Sequence, residues 1–536
     1  MADPRASEPA QRDVDMEKGL SPNASDLEGA TIRPDSANET ADNADDAAKE
    51  ADRDPNVVDW DGPDDPQNPK NWPPSKKWFN IATISMMTLV TPLGSSMFAP
   101  GIPKIMMEFH ETSSMTATFV VSVYILGFAF GPLIVAPLSE VYGRAPLYIY
   151  GNVLFTLFTV GTALAQNMPM LMAFRFLMGL AGSVPITIGS GSIADIMPVE
   201  QRGRAMSAWA LGPLLGPCIG PVAGGYLIQA AGWRWVYWLV TILVSIPLGI
   251  PREILPNNFY QAGIFIPLSF FMLKETFGPV ILERKTIKLR KETGNTSLRS
   301  ALETDANIAD KFKHATIRPL KLLFATPIVT LMALYVAITY GILYLLITTF
   351  SFVFKDHYGF DEGDVGLTFL PAGIGMMIGV VMFGALTDLI VKRNKAQGNP
   401  HRPEIRLKPI LALPCGIVLP VGLFLYGWTT EKGVHWIVPM LGVVIFSIGL
   451  MGVMTSVQNY LLDAYPLYAA SVTAALAVLR SLAGALLPLG GLEMYNALGL
   501  GWGNSLLGFI SLALVPIPLL FYLFGERIRG RFNPKL

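Results

Sequence analysis

The sequence predicts an all-α membrane protein with twelve transmembrane helices in two six-helix pseudo-repeats. The 536 residues are 51% hydrophobic and only 15% charged, whereas soluble proteins carry about 25% charged residues. From Trp78 onward the chain is a series of apolar stretches, each near the ~20 residues that a helix needs to cross a bilayer. Charged residues recur at matching places in the two halves, which is typical of internally repeated transporters.

The apolar stretches define the elements and the domains. The candidate spans are 80–100, 116–138, 147–166, 169–193, 206–229, 235–273, 327–352, 366–388, 409–428, 436–460, 470–492 and 503–524. Residues 1–78 form a polar tail with too few apolar side chains to offset the entropy of ordering, so we expect disorder there. The remaining domains are the first half (79–274), a central loop (275–326), the second half (327–525) and a short tail (526–536).

Lysine and arginine set the predicted orientation. They concentrate in the central loop and in the other segments on its side of the membrane, which the positive-inside rule places in the cytoplasm. We therefore expect a multi-pass plasma-membrane protein, monomeric, with both termini cytoplasmic. The net charge of −1 gives no reason to expect nucleic-acid binding. The sequence offers no set of residues that would hold a metal or another cofactor.

The sixth span is interrupted by VSIPLGIPREILPNNFYQ, residues 244–261. A broken helix at a binding site is one interpretation. Without this segment, the flanking pieces join into 21 apolar residues, which is one span. Val-Ser and Gln can also be encoded by the two ends of a typical intron. Our hypothesis is a retained in-frame intron, so no site residue is predicted there.

Ionisable groups at the ends of membrane helices are the candidate functional residues, since they are costly to place there. In PLSEVYGRAP, Glu140 and Arg144 stand four residues apart, a spacing that predicts an ion pair on a helical turn. Gly143 allows a tight turn or a close helix approach. A single ion pair of this kind is worth little, but the pattern repeats. We expect conformational latches that break when the halves rock, formed by Glu140, Gly143, Arg144, Asp195, Arg202, Asp388 (four residues before Lys392) and Asp463.

Five motifs in order make the chain resemble the major facilitator superfamily, and within it the fungal twelve-span drug:proton antiporters. They are NPKNWPPSKKW (68–78), PLSEVYGRAP (137–146), RFLMGLAGSVPITIGSGSIAD (175–195), GPLLGPCIGPVAGGYL (212–227) and KETFGPVILERK (274–285). Ala145 stands where that family usually has a basic residue. The resemblance implies the major facilitator fold. It also implies proton-coupled efflux of azole-type drugs and other toxic lipophilic molecules across the plasma membrane, which would confer multidrug resistance.

The resemblance further assigns roles to particular residues. It implies that Arg175 takes part in proton or substrate coupling, although an arginine near the outer membrane edge could instead extend towards water. The central cavity would include Tyr340, Tyr344, Gln458 and Asn459. The antiporter motif of the fifth span comprises Gly212, Pro213, Gly216, Pro217, Gly220, Pro221, Gly224 and Gly225, whose small residues also allow close helix packing.

Other functions remain open at this stage. One alternative is an exporter of a specific fungal secondary metabolite or of a polyamine, although the first span has no mid-helix carboxylate to bind a polyamine. A different class of alternative is a transporter-like receptor. The sequence has no Walker-type nucleotide motif and no catalytic constellation among its five histidines, so neither an ATP-driven pump nor an enzyme is expected.

Overall fold

The computed structural model describes residues 56–245, 273–302, 308–398 and 402–532, and these are mainly helical. The first half contains α1 (Pro74–Ser96), α2 (Ile102–Glu108), α3 (Ser114–Tyr142), α4 (Arg144–Ala163), α5 (Met168–Gly182), α6 (Val184–Ile196), α7 (Val199–Ala231) and α8 (Arg234–Ser245). The central loop contributes α9 (Gly278–Thr293) and α10 (Ile308–Ala325). Two short strands, β1 (Val57–Val58) and β2 (Arg299–Ser300), form a small ladder.

The second half repeats the helical organisation. It contains α11 (Pro327–Tyr358), α12 (Glu362–Leu367), α13 (Leu370–Ala396), α14 (Pro409–Glu431), α15 (Ile437–Ala464), α16 (Ala469–Leu486), α17 (Gly491–Leu514) and α18 (Pro516–Arg531). Among the described residues, nine helical segments are long and apolar enough to cross a membrane, and one of them, Ser471–Arg531, covers the last two predicted spans. The sixth span is described only up to Ser245, and residues 246–261 of the suspected intron lie outside the described residues.

Within the predicted span 169–193, Ser183 separates α5 from α6, a break that hydropathy did not predict. A 3-10 turn at Ala99–Gly101, at the predicted end of the first span, separates α1 from α2. In α17, Gly499 has φ +76° and interrupts the helix. The backbone groups freed there need partners because lipid offers none, and the Glu431 carboxylate accepts the Gly501 N–H.

The antiporter motif lies on α7, which continues through its three prolines. Four of its glycines, Gly212, Gly216, Gly220 and Gly224, are one turn apart and form a glycine stripe against α1. An added Cβ would lie 2.9 Å from Leu89 N at Gly212 and 1.7 Å from Met97 O at Gly224. The stripe therefore lets two helix backbones touch, as small residues do in membrane proteins.

The adjacent face of α7 packs against the second half. A Cβ at Gly225 would lie 2.2 Å from Glu362 O, and one at Gly366 would lie 2.5 Å from Pro221 O. A Cβ at Gly373 on α13 would likewise meet Cys218 Sγ of α7 at 2.2 Å. These contacts close the two halves together at the end of the bundle opposite the central loop, hereafter the opposite end.

Polar contacts reinforce closure at the opposite end. The Ser351 hydroxyl donates to Ala99 O across 2.8 Å. Glu362 forms salt bridges with Lys104 of the first half at 3.2 Å and with Lys355 of the second half at 3.8 Å. We call Lys104, Lys355 and Glu362 the opposite-end cluster. Since it joins the two halves, opening this end requires the Lys104–Glu362 contact to break.

The segment before α1 is structured from residue 56, whereas disorder was predicted over 1–78. Val58 O accepts a hydrogen bond from Ala301 N at 2.9 Å, and Lys285 Nζ on α9 donates to Asp59 O at 2.9 Å. Asp65 accepts the N–H groups of Asp61 and Gln67. This order could not be predicted from the local composition, because the residues that bind the segment lie more than 200 positions further along the chain. Residues 1–55 lie outside the described part.

Candidate functional site

The first candidate site is a charge cluster at the central-loop end of the first half. Arg144 Nε lies 3.4 Å from Asp195 Oδ2, and its Nη1 donates to the Ser139 hydroxyl. Arg144 also lies over the Phe277 ring, 4.7 Å from the centroid. These contacts tie α4 to the ends of α3 and α6 and to the start of the central loop.

Glu275 also belongs to this cluster, because its carboxylate accepts hydrogen bonds from backbone N–H groups. Its Oε1 accepts the N–H groups of Arg144 at 2.8 Å and of Thr276 and Phe277 at 3.0 Å. Its Oε2 lies 3.3 Å from Ala145 N. The carboxylate therefore caps the N-terminus of α4, where unpaired N–H groups favour negative charge. Sequence reasoning treated KETFGPVILERK only as a motif of the family resemblance and assigned no role to Glu275.

The predicted pairing of Glu140 with Arg144 is wrong. Gly143 has φ +93° and separates α3 from α4, so the two residues lie on different helices and the four-residue helical spacing does not apply. Glu140 is exposed. Arg202, also predicted to belong to the charged group, donates to Ala194 O at 3.1 Å and so caps the end of α6.

The second half has an equivalent cluster around Arg406, which sequence reasoning missed. Arg406 Nε donates to Asp463 Oδ2 at 2.9 Å, and its Nη1 lies 3.7 Å from Asp388. The predicted Asp388–Lys392 pairing is thus replaced by one with Arg406, and Lys392 is exposed. Arg406 precedes the ninth span much as Arg144 begins the third, so aligning the two repeats would have found it.

A second candidate site lies in the middle of the first half, at Arg175. Its side chain is fully buried, which excludes the alternative that it extends to water at the membrane edge. Its guanidinium donates to Val120 O at 2.6 Å, to the Tyr237 hydroxyl at 2.9 Å and to Ser95 O at 3.0 Å. It also lies over the Phe98 ring, 3.7 Å from the centroid.

The predicted substrate-cavity residues lie in two places. Tyr344 is buried and Tyr340 half-buried on α11, with ring centroids 5.0 Å apart. Arg480 of α16 lies over Tyr340 at 4.9 Å. Gln458 is exposed and Asn459 half-buried near the central-loop end of α15, so the structure does not bring these two together with the tyrosines.

Metal binding finds no support among the residues that the structure describes, since no three His, Cys, Asp or Glu side chains there are grouped as ligands. In the same described residues, Asp and Glu of the spanning helices lie near helix ends. The central charges are therefore the arginines Arg175 and Arg480.

A two-half helical bundle with charge clusters at its ends and buried polar residues at its centre defines a membrane transporter of small molecules. The sequence profile of the Major Facilitator Superfamily matches residues 84–488, and the chain belongs to that superfamily. This finding confirms the predicted fold class.

Relatives and solved structures agree. The chain is 50% identical to "Efflux pump radE" of Floropilus chiversii, over 91% of this chain and 88% of that protein. It is 49% identical to "MFS-type transporter penM" of Penicillium rubens, over 89% and 90%. The E. coli xylose transporter XylE in a partially occluded inward-open conformation has a TM-score of 0.58 at 15% identity, covering 84% of this chain and 98% of that one.

Proposed function

We propose that the protein exports lipophilic small molecules from the cytosol in exchange for protons. The observation that carries this proposal is Arg175, a permanently charged group buried among the helices of the first half and held by Val120 O, Ser95 O and the Tyr237 hydroxyl. These partners lie on three other helices, α3, α1 and α8. A movement of these helices relative to one another would therefore change the contacts of Arg175. The name "Efflux pump" of a 50% identical relative supports export as the direction.

The proton-carrying groups in this proposal are Asp195 and Asp463. Each carboxylate pairs with one arginine at the central-loop end, at 3.4 Å from Arg144 and 2.9 Å from Arg406. Protonation removes the negative charge and weakens the pair, which frees the helix ends to move. Glu275 holds the α4 backbone through the Arg144 N–H and not through the guanidinium, so loss of the charge of Asp195 does not remove this contact.

The driving force is sufficient for such an exchange. One proton entering down ~100 mV releases about 2.3 kcal/mol, and one pH unit adds about 1.4 kcal/mol. Together, about 3.7 kcal/mol sustains a substrate gradient of several hundredfold. In this proposal the protein is a monomer in the plasma membrane, with the central-loop end and both termini in the cytoplasm.

Two proposals differ in how many kinds of substrate the protein exports. Our lead proposal is several unrelated drugs, including azoles, as the sequence resemblance implies. The second is one secondary metabolite, favoured by the polar pair Arg480 and Tyr340, 4.9 Å from guanidinium carbon to ring centroid, which suits a defined molecule. The absence of a mid-bundle carboxylate in the described residues argues against a polyamine.

The test is a drug panel on pump-deficient yeast that expresses the wild type, Arg144→Gln, Arg175→Gln or the exposed-charge control Arg393→Gln at matched levels. We expect resistance to several compounds with the wild type and control, and loss of resistance with the other two. A protonophore should abolish efflux. Efflux that persists without a proton gradient would contradict the coupling. Resistance that Arg175→Gln leaves intact would contradict the central role of this residue.

The metabolite candidate is tested by deleting the gene in its native host. Selective intracellular accumulation of one product, with unchanged drug sensitivity, would favour the metabolite over the drugs. A signalling defect that a transport-dead variant rescues would instead favour the transporter-like receptor.

A further inference from the structure

Arg480 has hydrogen-bonding capacity that its surroundings leave unused. It lies on α16, six residues before the end of this helix, and its side chain is partly buried. The Nε atom is buried and donates to no acceptor among the described residues. The guanidinium lies over the Tyr340 ring, 4.9 Å from its carbon to the ring centroid. A buried donor without an acceptor costs free energy unless a ligand or water satisfies it.

The direction of Arg480 is fixed by its neighbour one turn further along α16. A Cβ at Gly484 would lie 3.2 Å from the Tyr340 ring and 3.4 Å from Ile125 of α3. Residues four apart share a helix face, so Arg480 also faces α11 and α3. This face is the seam between the two halves, where transporters of this architecture bind substrate, and not the lipid.

The other central arginine offers no such capacity. Arg175 is fully buried, and its three nitrogens donate to three backbone carbonyls and the Tyr237 hydroxyl. The two arginines are linked through Tyr344, which interacts with the side chains of Ser95, Tyr340 and Arg480. Ser95 O in turn accepts from Arg175. Of these two linked arginines, Arg175 therefore has all its nitrogens engaged in hydrogen bonds, whereas Arg480 has a donor available for a ligand.

We propose that Arg480 is the specificity-determining residue of the substrate path and that it binds an anionic group of a lipophilic substrate, such as a carboxylate, phenolate or sulfonate. The guanidinium forms paired, charge-assisted hydrogen bonds with such groups. The Tyr340 ring lies against one side of the Arg480 guanidinium and so limits its orientation. Two positive charges and no carboxylate in the described middle of the bundle disfavour a cation. This inference rests on the proposed export function and narrows its substrate class.

The experiment uses the full chain in phosphatidylcholine nanodiscs and two fluorescent probes with the same ring system. Anilinonaphthalene sulfonate carries an anionic group, and phenylnaphthylamine is its uncharged counterpart. Competition with tetraphenylphosphonium tests a lipophilic cation, and empty nanodiscs supply the background. The variants are Arg480→Gln, Arg480→Lys, which keeps the charge, and the exposed control Arg393→Gln. Thermal unfolding checks that each variant is folded.

We expect the wild type to bind the sulfonate more tightly than the amine. Arg480→Gln should weaken sulfonate binding roughly ten- to one-hundredfold and change amine binding by no more than about twofold. Arg480→Lys should lose less than Arg480→Gln, and Arg393→Gln should behave as the wild type. The assignment would be overturned if Arg480→Gln weakened the binding of both probes equally or of neither. It would also be overturned if the wild type preferred the amine or the cation.

The design separates this inference from the proposed function. Binding is measured at equilibrium without a proton gradient, so a protein that is not an antiporter can still show the anion preference. Conversely, drug efflux in yeast with no discrimination between the two probes would leave the export proposal standing and remove only the role of Arg480.

Discussion

At the scale of single residues, Gly143 shows how one position controls a charge cluster. Its φ of +93° is a conformation that L side chains rarely adopt. A Cβ there would also lie 2.2 Å from Glu275 Oε2. The residue thus permits both the break between α3 and α4 and the approach of the carboxylate that caps α4.

We therefore expect Gly143→Ala to destabilise the protein by about 1–3 kcal/mol and to impair transport, because the carboxylate must leave the α4 backbone. Gly203→Ala is the matched control, since nothing lies within 4 Å of its added Cβ, and alanine favours a helix. Thermal unfolding in detergent measures both. Equal stability of the two variants would contradict the steric argument.

The sequence identified the types of residue in these clusters but not the pairs. Asp195, Asp388 and Asp463 were chosen because charge at a membrane helix end is costly, and each does lie in an ion pair. Partners were assigned only to Glu140 and Asp388, by four-residue spacing, and this spacing fails for Glu140 and Arg144 because a turn intervenes at Gly143. Arg406 and Glu275 act from neighbouring segments, and only the three-dimensional arrangement brings them close.

At the scale of elements, α12 connects the halves through the opposite-end cluster. Glu362 contacts Lys104 at 3.2 Å; the Glu362 side chain is 13% exposed and that of Lys104 39%, so the carboxylate is shielded from solvent while the ammonium group is not. Asp364 on the same short helix is exposed and provides a comparison.

We expect Glu362→Gln to shift the protein towards conformations open at the opposite end, because the attraction across the halves is lost. Spin labels on α2 and α12, placed outside the cluster, would report a longer distance by pulsed electron resonance. Asp364→Asn should leave the distance distribution unchanged. A Glu362→Gln distribution identical to that of the wild type would show that backbone packing alone closes this end.

Hydropathy located the elements well because a bilayer imposes one length on every span. Described helices coincide with every predicted span, the sixth only in part. The breaks at Ala99–Gly101 and Gly499 lie at predicted span boundaries, whereas the break at Ser183 inside the fourth span was missed. Helix breaks depend on whether neighbouring groups can satisfy the freed backbone, as Glu431 does for Gly501, and a hydropathy window contains no such information.

The contact between the N-terminal segment and α9 depends on Asp65. Burial opposes ionisation of this carboxyl, but N–H donors from Asp61 and Gln67 and the charge of Lys285 lower its pKa below the ordinary value. A lowered folded-state pKa contributes stability above the unfolded-state pKa, and this stability is lost as pH falls through the folded-state value.

We expect residues 59–72 to become less protected when the pH falls below about 4, and Asp65→Asn to reduce their protection already at neutral pH. Hydrogen exchange with mass spectrometry measures this, and Asp64→Asn serves as an exposed control. Protection of the wild type that does not change with acid would contradict the role of Asp65.

At the scale of the whole molecule, the halves meet at the opposite end through α7 and α12, through the Ala99–Gly101 turn and α11, and through the Lys104–Glu362 pair. The clusters of Arg144 and Arg406 at the central-loop end each lie within their own half and its adjoining loop. The polar contacts that must break for the opposite end to open are thus distinct from those that organise the central-loop end. This arrangement suits alternating access.

One question of the whole chain concerns residues 244–261. If they are a retained intron, the mature transcript omits their codons and the sixth span is continuous. We expect reverse transcription and sequencing of the messenger RNA to show the shorter form, and the shorter protein to reach the membrane in larger amounts. A transcript that keeps these codons would contradict the hypothesis.

The glycine stripe of α7 has a consequence for how the gene tolerates mutation. A Cβ added at Gly212, Gly216, Gly220 or Gly224 would lie within 3 Å of an atom of α1 or of Met97, which follows it, so even alanine should not be tolerated at these positions. The exposed Leu211 and Ile219 on the same helix should accept many apolar residues. Saturation mutagenesis scored by transport would then show intolerance with a period of four along α7, and uniform tolerance would contradict the packing. Natural selection would therefore remove substitutions at these glycines as strictly as substitutions in an active site, although no glycine in the stripe carries a reactive group.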